Sequence, residues 1–114
     1  MPRALRLTLI AGAAAIALAA IAVGIIEWQE RQFAGTVAAI ELGASRETVF
    51  ERLGTPQSEG SNCHVAQLVK FEKPVQRPVA HYCAHWVGPS PAFQFYAVGF
   101  NGNNAVVWVA YGDS

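Results

Sequence analysis

The feature that most constrains this chain of 114 residues is an uninterrupted apolar run from Leu7 to Ile26. The run carries no charge, and Thr8 is its only hydroxyl-bearing residue. As a helix rising 1.5 Å per residue, these twenty residues span about 30 Å, the thickness of a bilayer's hydrocarbon core. Residues 7–26 are therefore predicted to form a transmembrane helix, and a folded domain must be built from the residues after it.

The charges that flank this run predict its orientation. Arg3 and Arg6 precede it, whereas Glu27 and Glu30 follow it. Because positive charge is retained on the cytoplasmic side, residues 1–6 are predicted to lie inside the cell. The chain is then expected to be a single-pass protein of the inner (cytoplasmic) membrane, with its C-terminal domain exported to the periplasm.

Two interpretations of the run remain open at this point. A cleavable signal peptide has an apolar region of about 7–15 residues followed by a site of small residues. Residues 17–19 and 20–22 (ALA and AIA) fit such a site, but both lie inside the apolar run. The length of the run favours an uncleaved signal anchor. Since no cysteine lies near its end, a lipid-modified N-terminal cysteine is excluded.

The exported part, residues 27–114, is slightly acidic. It has six Lys and Arg residues against eight Asp and Glu residues, a net charge of −2. No basic patch with interleaved aromatic residues occurs, which argues against a nucleic-acid partner. Residues 27–33 are predicted to form a short stalk, with Trp28 as an interfacial anchor. Residues 34–114 are predicted to form one small domain.

The best-defined local element is a predicted helix over Arg46–Leu53. Ser45 is a good N-cap because its hydroxyl can accept a hydrogen bond from the first turn, where Glu47 also suits the helix dipole. Gly54 can adopt the left-handed conformation after the last turn, and Pro56 prevents continuation. One apolar stripe must be buried against another element; it consists of Val49, Phe50 and Leu53.

The pattern after this helix changes to alternation. A short helix is predicted before it over residues 33–42, and a turn-rich loop after it over residues 57–62. Four alternating segments are predicted as strands: residues 63–71, 79–87, 92–100 and 105–111. Residues 101–104 (NGNN) give a strong hairpin signal. The expected fold is α+β, with two short helices on one face of a three- to four-stranded antiparallel meander.

Residues 42–56 (LGASRETVFERLGTP) resemble the G-x-[ST]-x-x-x-V-x-x-x-L-G-x-P helix of the SmpA/OmlA family, the small lipoprotein of outer-membrane β-barrel assembly. The matching positions are Gly43, Ser45, Val49, Leu53, Gly54 and Pro56. The order of elements also agrees over residues 34–111, including the last hairpin (FNGNNAVV). This family shares its fold with β-lactamase-inhibitor-like domains. The resemblance therefore implies a binding scaffold rather than an enzyme.

Two cysteines and three histidines form the set most suggestive of chemistry. A disulfide between Cys63 and Cys83 is the default in a small exported domain, and it would close a loop of about 20 residues. Alternatively, Cys63, His64, His81 and Cys83 could bind zinc or copper from adjacent strands. Free or intermolecular thiols are a third possibility.

Four aromatic residues are candidates for contact with a protein partner: Phe93, Phe95, Tyr96 and Trp108. The alternative is that they fill the core. No pattern of acid–base, nucleophilic or phosphate-binding residues is present, so the sequence predicts no catalysis, no cofactor and no small-molecule substrate. The expected function is a membrane-tethered interaction domain that binds a protein of the cell envelope. The alternative is a metal-binding or metal-sensing exported domain.

Overall fold

The computed structural model describes residues 2–88 and 94–113. Its first element is a single helix of 36 residues, α1 (Arg3–Ala38). By length and composition α1 can cross a membrane, and its large apolar side chains from Leu5 to Ile25 are exposed. A continuous apolar surface of this extent is unfavourable in water, so α1 is interpreted as a membrane anchor.

The C-terminal third of α1 corrects the sequence analysis. The prediction of a separate short helix over residues 33–42 was wrong, because α1 continues through residues 27–33 and ends at Ala38. No proline interrupts this region, and one face of the helix is repeatedly buried or half-buried. That face holds Glu30, Phe33, Ala34 and Val37 at helical spacing. The contacts of this face with the sheet explain why the helix does not break after the apolar run.

The second helix, α2 (Arg46–Leu53), has the bounds that its punctuation predicts. The Thr48 backbone N–H donates to Ser45 Oγ over 3.2 Å, which satisfies one N–H of the first turn. Gly54 ends the helix with φ 83° and donates its N–H to the Phe50 carbonyl. Val49 and Leu53 are buried. The prediction of this helix is confirmed.

Five antiparallel strands form one sheet in the described part of the chain, and the α+β class is confirmed. The order across the sheet is β1-β3-β4-β5-β2, so β1 and β2 are its edges. The strands are β1 (Ser58–Gly60), β2 (Leu68–Lys73), β3 (Tyr82–Val87), β4 (Gln94–Phe100) and β5 (Val106–Asp113).

The strand predictions need three corrections. The sheet has five strands rather than three or four, because β1 lies in the predicted loop over residues 57–62 and pairs with β3 through its backbone. The segment predicted as a strand over residues 63–71 becomes a strand only from Leu68, since Cys63 is bonded to Cys83 of β3 and the chain then crosses one face of the sheet. The strand predicted over residues 79–87 begins at Tyr82.

The bounds of the last two strands, β4 and β5, are close to the predicted ones. Within the described residues β4 begins at Gln94, and β5 extends two residues beyond the predicted end. The predicted hairpin between them is confirmed. The Asn101 side-chain oxygen accepts hydrogen bonds from the N–H groups of Asn103 and Ala105, over 2.9 and 3.1 Å.

Apolar side chains cover both faces of the sheet. On one face, α2 and the end of α1 pack against alternate residues of β3, β4 and β5. That helix-side core includes Val37, Ile40, Val49, Trp86, Tyr96, Val98, Phe100 and Val109. The other face carries a smaller core of Cys83, Ala97, Trp108 and Ala110, over which Cys63, Val65 and Ala80 pack. Neither face is a bare sheet surface.

Candidate partner-binding surface

The four aromatic residues proposed as a partner surface do not form one surface. Tyr96 is fully buried on the helix side, where its ring meets that of Phe33 edge-on with centroids 4.6 Å apart. Trp108 is 3% exposed and lies in the core on the opposite face. Phe95 is half-buried and reachable from solvent, and Phe93 lies outside the described residues. The structure therefore favours a core role for Tyr96 and Trp108 and leaves Phe95 as an accessible candidate.

A buried hydrogen bond joins the membrane helix to the sheet. Tyr96 donates its phenolic O–H to Glu30 Oε1 over 2.9 Å. Burial raises the pKa of Tyr96 well above its ordinary value, and the hydrogen bond to the carboxylate and its charge raise the pKa further. The phenol therefore stays protonated and remains a donor at any physiological pH.

The same carboxylate also lies against the end of β3. A Cβ added at Gly88 would be 2.6 Å from Glu30 Oε1, so a larger residue at this position would require the Glu30 side chain to shift. From the sequence, Glu30 was recognised only as a charge that follows the apolar run. Its position on the helix face with Phe33, Ala34 and Val37 is the signal that could have identified it. Glu30 thus fixes α1 against the end of the sheet where β3 stops.

The two cysteines are placed as the disulfide interpretation predicts, and two of the three histidines lie at the surface. Cys63 and Cys83 form a disulfide with a Cα–Cα distance of 5.4 Å, and Cys83 is fully buried. His64 and His81 are exposed. Within residues 2–88 and 94–113, no cluster of three or more His, Cys, Asp or Glu side chains could hold a metal ion. The metal-binding alternative needs both thiolates, and the intact bridge removes them.

His85, the third histidine, is buried. Its Nε2–H donates to the His64 carbonyl over 2.9 Å, and the Ser58 hydroxyl lies 3.4 Å from its Nδ1. Burial lowers its pKa, a lowering that the hydrogen bond to the His64 carbonyl partly opposes. The ring is therefore neutral at physiological pH. Through these contacts the ring links β1 and the segment that crosses the sheet, residues 61–67, to β3 rather than acting as a metal ligand.

An open, largely apolar cavity of about 310 Å³ lies beside the accessible aromatic residue. We call it the Phe95 groove; it is lined by His64, Val65, Ala66, Gln67 and Phe95. The first four residues belong to the segment that leads directly into β2. The groove and the start of this edge strand are therefore continuous along the chain.

The two edges of the sheet differ in length and polarity. β1 has three residues, and its Glu59 pairs with Arg46 of α2 over 2.8 Å. β2 has six residues; Leu68 is 69% exposed and Val69 is 40% exposed. The register shifts between Val69 and Phe71, which places a bulge at Lys70. We call the outer side of Leu68–Lys73 the β2 edge.

The Lys70 side chain at this bulge pairs with the last described residue of the neighbouring strand. Its Nζ lies 3.1 Å from Asp113 Oδ1, and both side chains are largely exposed. A bulge and a charged residue are devices by which edge strands limit indiscriminate pairing. The β2 edge therefore combines two exposed apolar residues, Leu68 and Val69, with a local restriction on what can pair with it.

Comparison with known proteins found no relative of this chain. No protein-family model, no curated protein and no solved structure matches the chain. The resemblance of residues 42–56 to the SmpA/OmlA helix stays a prediction.

Proposed function

We propose that this chain is a membrane-tethered interaction domain without catalytic activity, which binds an envelope protein through its β2 edge. In this proposal α1 anchors the chain in the inner membrane with its N-terminus inside, and the domain lies in the periplasm. The single observation that carries the proposal is the six-residue edge strand whose first two residues, Leu68 and Val69, are apolar and exposed.

An edge strand offers a row of backbone N–H and C=O groups to an incoming strand. An extended segment of another protein can pair with such a row, and its side chains then contact the exposed residues of the edge. At about 3.3 Å per residue, β2 offers roughly 20 Å of pairing length. The apolar side chain of Val69, which is 40% exposed, adds contact area that burial would stabilise.

The opposite edge supports this choice by contrast. β1 has only three residues, Ser58, Glu59 and Gly60, and none has an apolar side chain. A very short edge strand offers few backbone groups to an incoming strand, which limits pairing with another chain. A partner that recognises this sheet by strand addition is therefore expected at β2 and not at β1.

Export to an oxidising compartment is supported by two independent features. The Cys63–Cys83 disulfide is of the kind that persists outside the cytosol. Arg3 and Arg6 before the apolar run, with Glu27 after it, favour an N-terminus inside the cell.

Site-specific photo-crosslinking in intact cells tests this proposal. A photoreactive amino acid at Lys70 in the β2 edge is expected to give a discrete adduct with one envelope protein. The matched control carries the same group at Glu59 in β1 and is expected to give none. The substitution Val69→Lys adds a fourth charged residue to the β2 edge, beside Lys70, Glu72 and Lys73, and should abolish the adduct, while an intact Cys63–Cys83 bridge on a non-reducing gel reports a folded domain. The proposal is wrong if the two positions give the same adducts or if Val69→Lys leaves the adduct unchanged.

A further inference from the structure

One end of the sheet lies next to the bilayer that α1 crosses. Glu30 follows the last residue of the apolar run, Ile26, by four helical residues, which is about 6 Å along the helix axis. Its carboxylate contacts Gly88 at the end of β3 and Tyr96 near the start of β4. The end of the sheet where β3 stops and β4 begins is therefore the end closest to the membrane.

The antiparallel register brings β2 and β5 to this same end. Gln94 at the start of β4 pairs with Asp113 at the end of β5, and Asp113 pairs with Leu68 at the start of β2. We call this end, formed by Gly88, Gln94, Phe95, Asp113 and Leu68, the basal end. The Phe95 groove lies here too, since its lining includes Phe95 and the residue that precedes Leu68.

The basal end cannot swing freely away from the lipid. Among the described residues, α1 runs without a break from the apolar run into the domain. Phe33, Ala34 and Val37 then pack on the sheet as part of its helix-side core. Because no flexible linker separates anchor and sheet, the position of the helix in the bilayer also sets the height and tilt of the basal end.

The exposed side chains near the basal end suit the interfacial region of a bilayer. Trp28 is two residues beyond Ile26 and is exposed, and tryptophan is enriched at this depth in membrane proteins. Leu68 is exposed at the basal end, beside the apolar Phe95 groove. Lys70 and Asp113 at the edge of this end neutralise each other as an ion pair.

We propose that the basal end rests on the bilayer, with Leu68 and the Phe95 groove in contact with the lipid interface. Lipid is the occupant because the anchor of the same chain places this surface at interfacial depth. The contact does not depend on whether the β2 edge takes a partner. It fixes the direction of β2, whose first residue meets the lipid while Lys73 points away from it.

Fluorescent labels at the two ends of the domain test this proposal in the full chain. Leu68→Cys places a nitrobenzoxadiazole label at the basal end. The matched control is Val79→Cys, at an apolar residue that is 97% exposed in the connection before β3, far from the basal end. Both variants keep the native disulfide and are reconstituted into vesicles of phosphatidylcholine and phosphatidylglycerol. Lipids with a nitroxide at a shallow acyl position then quench the label according to its depth.

The expected result is that the label at position 68 is quenched at least threefold more strongly than the label at position 79, with a blue-shifted emission. Equal quenching of the two labels, or none at position 68, would overturn the proposal. Shielding at position 68 that disappears as the protein-to-lipid ratio is lowered would indicate a second copy of the chain and would also overturn it. If Leu68→Cys does not form the Cys63–Cys83 bridge, Gln67→Cys carries the label at the neighbouring exposed residue, with the same expected result.

Discussion

The hydrogen bond between Glu30 and Tyr96 gives the most specific prediction about how anchor and sheet are joined. Tyr96 is fully buried, and its donor group meets a carboxylate over 2.9 Å. Hydrogen bonds to charged groups contribute about 1.5–3 kcal/mol. Because Glu30 is almost fully buried as well, we expect a coupling energy of about 2 kcal/mol, which corresponds to about a 30-fold change in the unfolding equilibrium.

A double-mutant cycle isolates this pair, since Glu30 also packs against Gly88 and single substitutions disturb both contacts. Glu30→Gln, Tyr96→Phe and the double variant are unfolded with urea as full chains in detergent micelles, and the fluorescence of buried Trp86 and Trp108 is followed. Glu27→Gln, at an exposed residue one turn earlier, is the control and is expected to change the unfolding free energy by less than about 0.5 kcal/mol. A coupling energy below about 0.5 kcal/mol would show that the hydrogen bond between Glu30 and Tyr96 does not stabilise the junction of α1 and the sheet.

Three further predictions concern the stability of the exported domain and use the same urea titration. Replacing Cys63 and Cys83 together by alanine should lower the unfolding free energy by about 3 kcal/mol, because the bridge closes a loop of about 20 residues; a loss below about 1 kcal/mol contradicts this. Since the pKa of His85 is lower in the folded state than in the unfolded chain, stability should fall as the pH drops below the ordinary histidine pKa of 6.5. His85→Gln should flatten that decline, and an unchanged slope would assign it to other groups. Ser45→Ala should lower the unfolding free energy by about 1 kcal/mol because the helix cap is lost, whereas Ser45→Asn should lower it little. Equal losses for the two variants would contradict a capping role.

Elements with complete local signals could be predicted from the sequence. Helix α2 begins after a capping serine and ends at a glycine with positive φ, and its observed bounds are those predicted. The turn after β4 is likewise determined by Asn101, whose side chain binds the backbone within the next four residues. In both cases the deciding interactions join residues less than five positions apart.

Elements that depend on distant contacts could not be predicted in the same way. β1 is a strand because its backbone pairs with β3, and its sequence (SEG) carries no strand signal. α1 continues past residue 33 because the sheet buries one of its faces, although the polar residues 27–33 led to the prediction of a separate stalk. Such contacts appear only when residues about 25 to 75 positions apart are brought together.

The residues of the candidate site show the same division between local signals and distant contacts. Alternation in β4 indicates that Phe95 and Tyr96 face opposite sides, but it does not reveal which side is buried under α1. Burial of Tyr96 and accessibility of Phe95 follow from the packing of Phe33 and from the crossing segment over residues 61–67. The β2 edge could not be predicted from the sequence either, because the order of the strands in the sheet is set by long-range pairing.

Hydrogen–deuterium exchange of the full chain in lipid nanodiscs shows directly whether a partner pairs with β2. The chain is measured alone and together with the partner identified by crosslinking at position 70. Strand addition predicts that backbone amides of Leu68–Lys73 exchange at least tenfold more slowly in the complex, while those of Ser58–Gly60 are unchanged. Protection confined to β1 or α2, with β2 unaffected, would contradict the proposal that this protein binds its partner through the β2 edge.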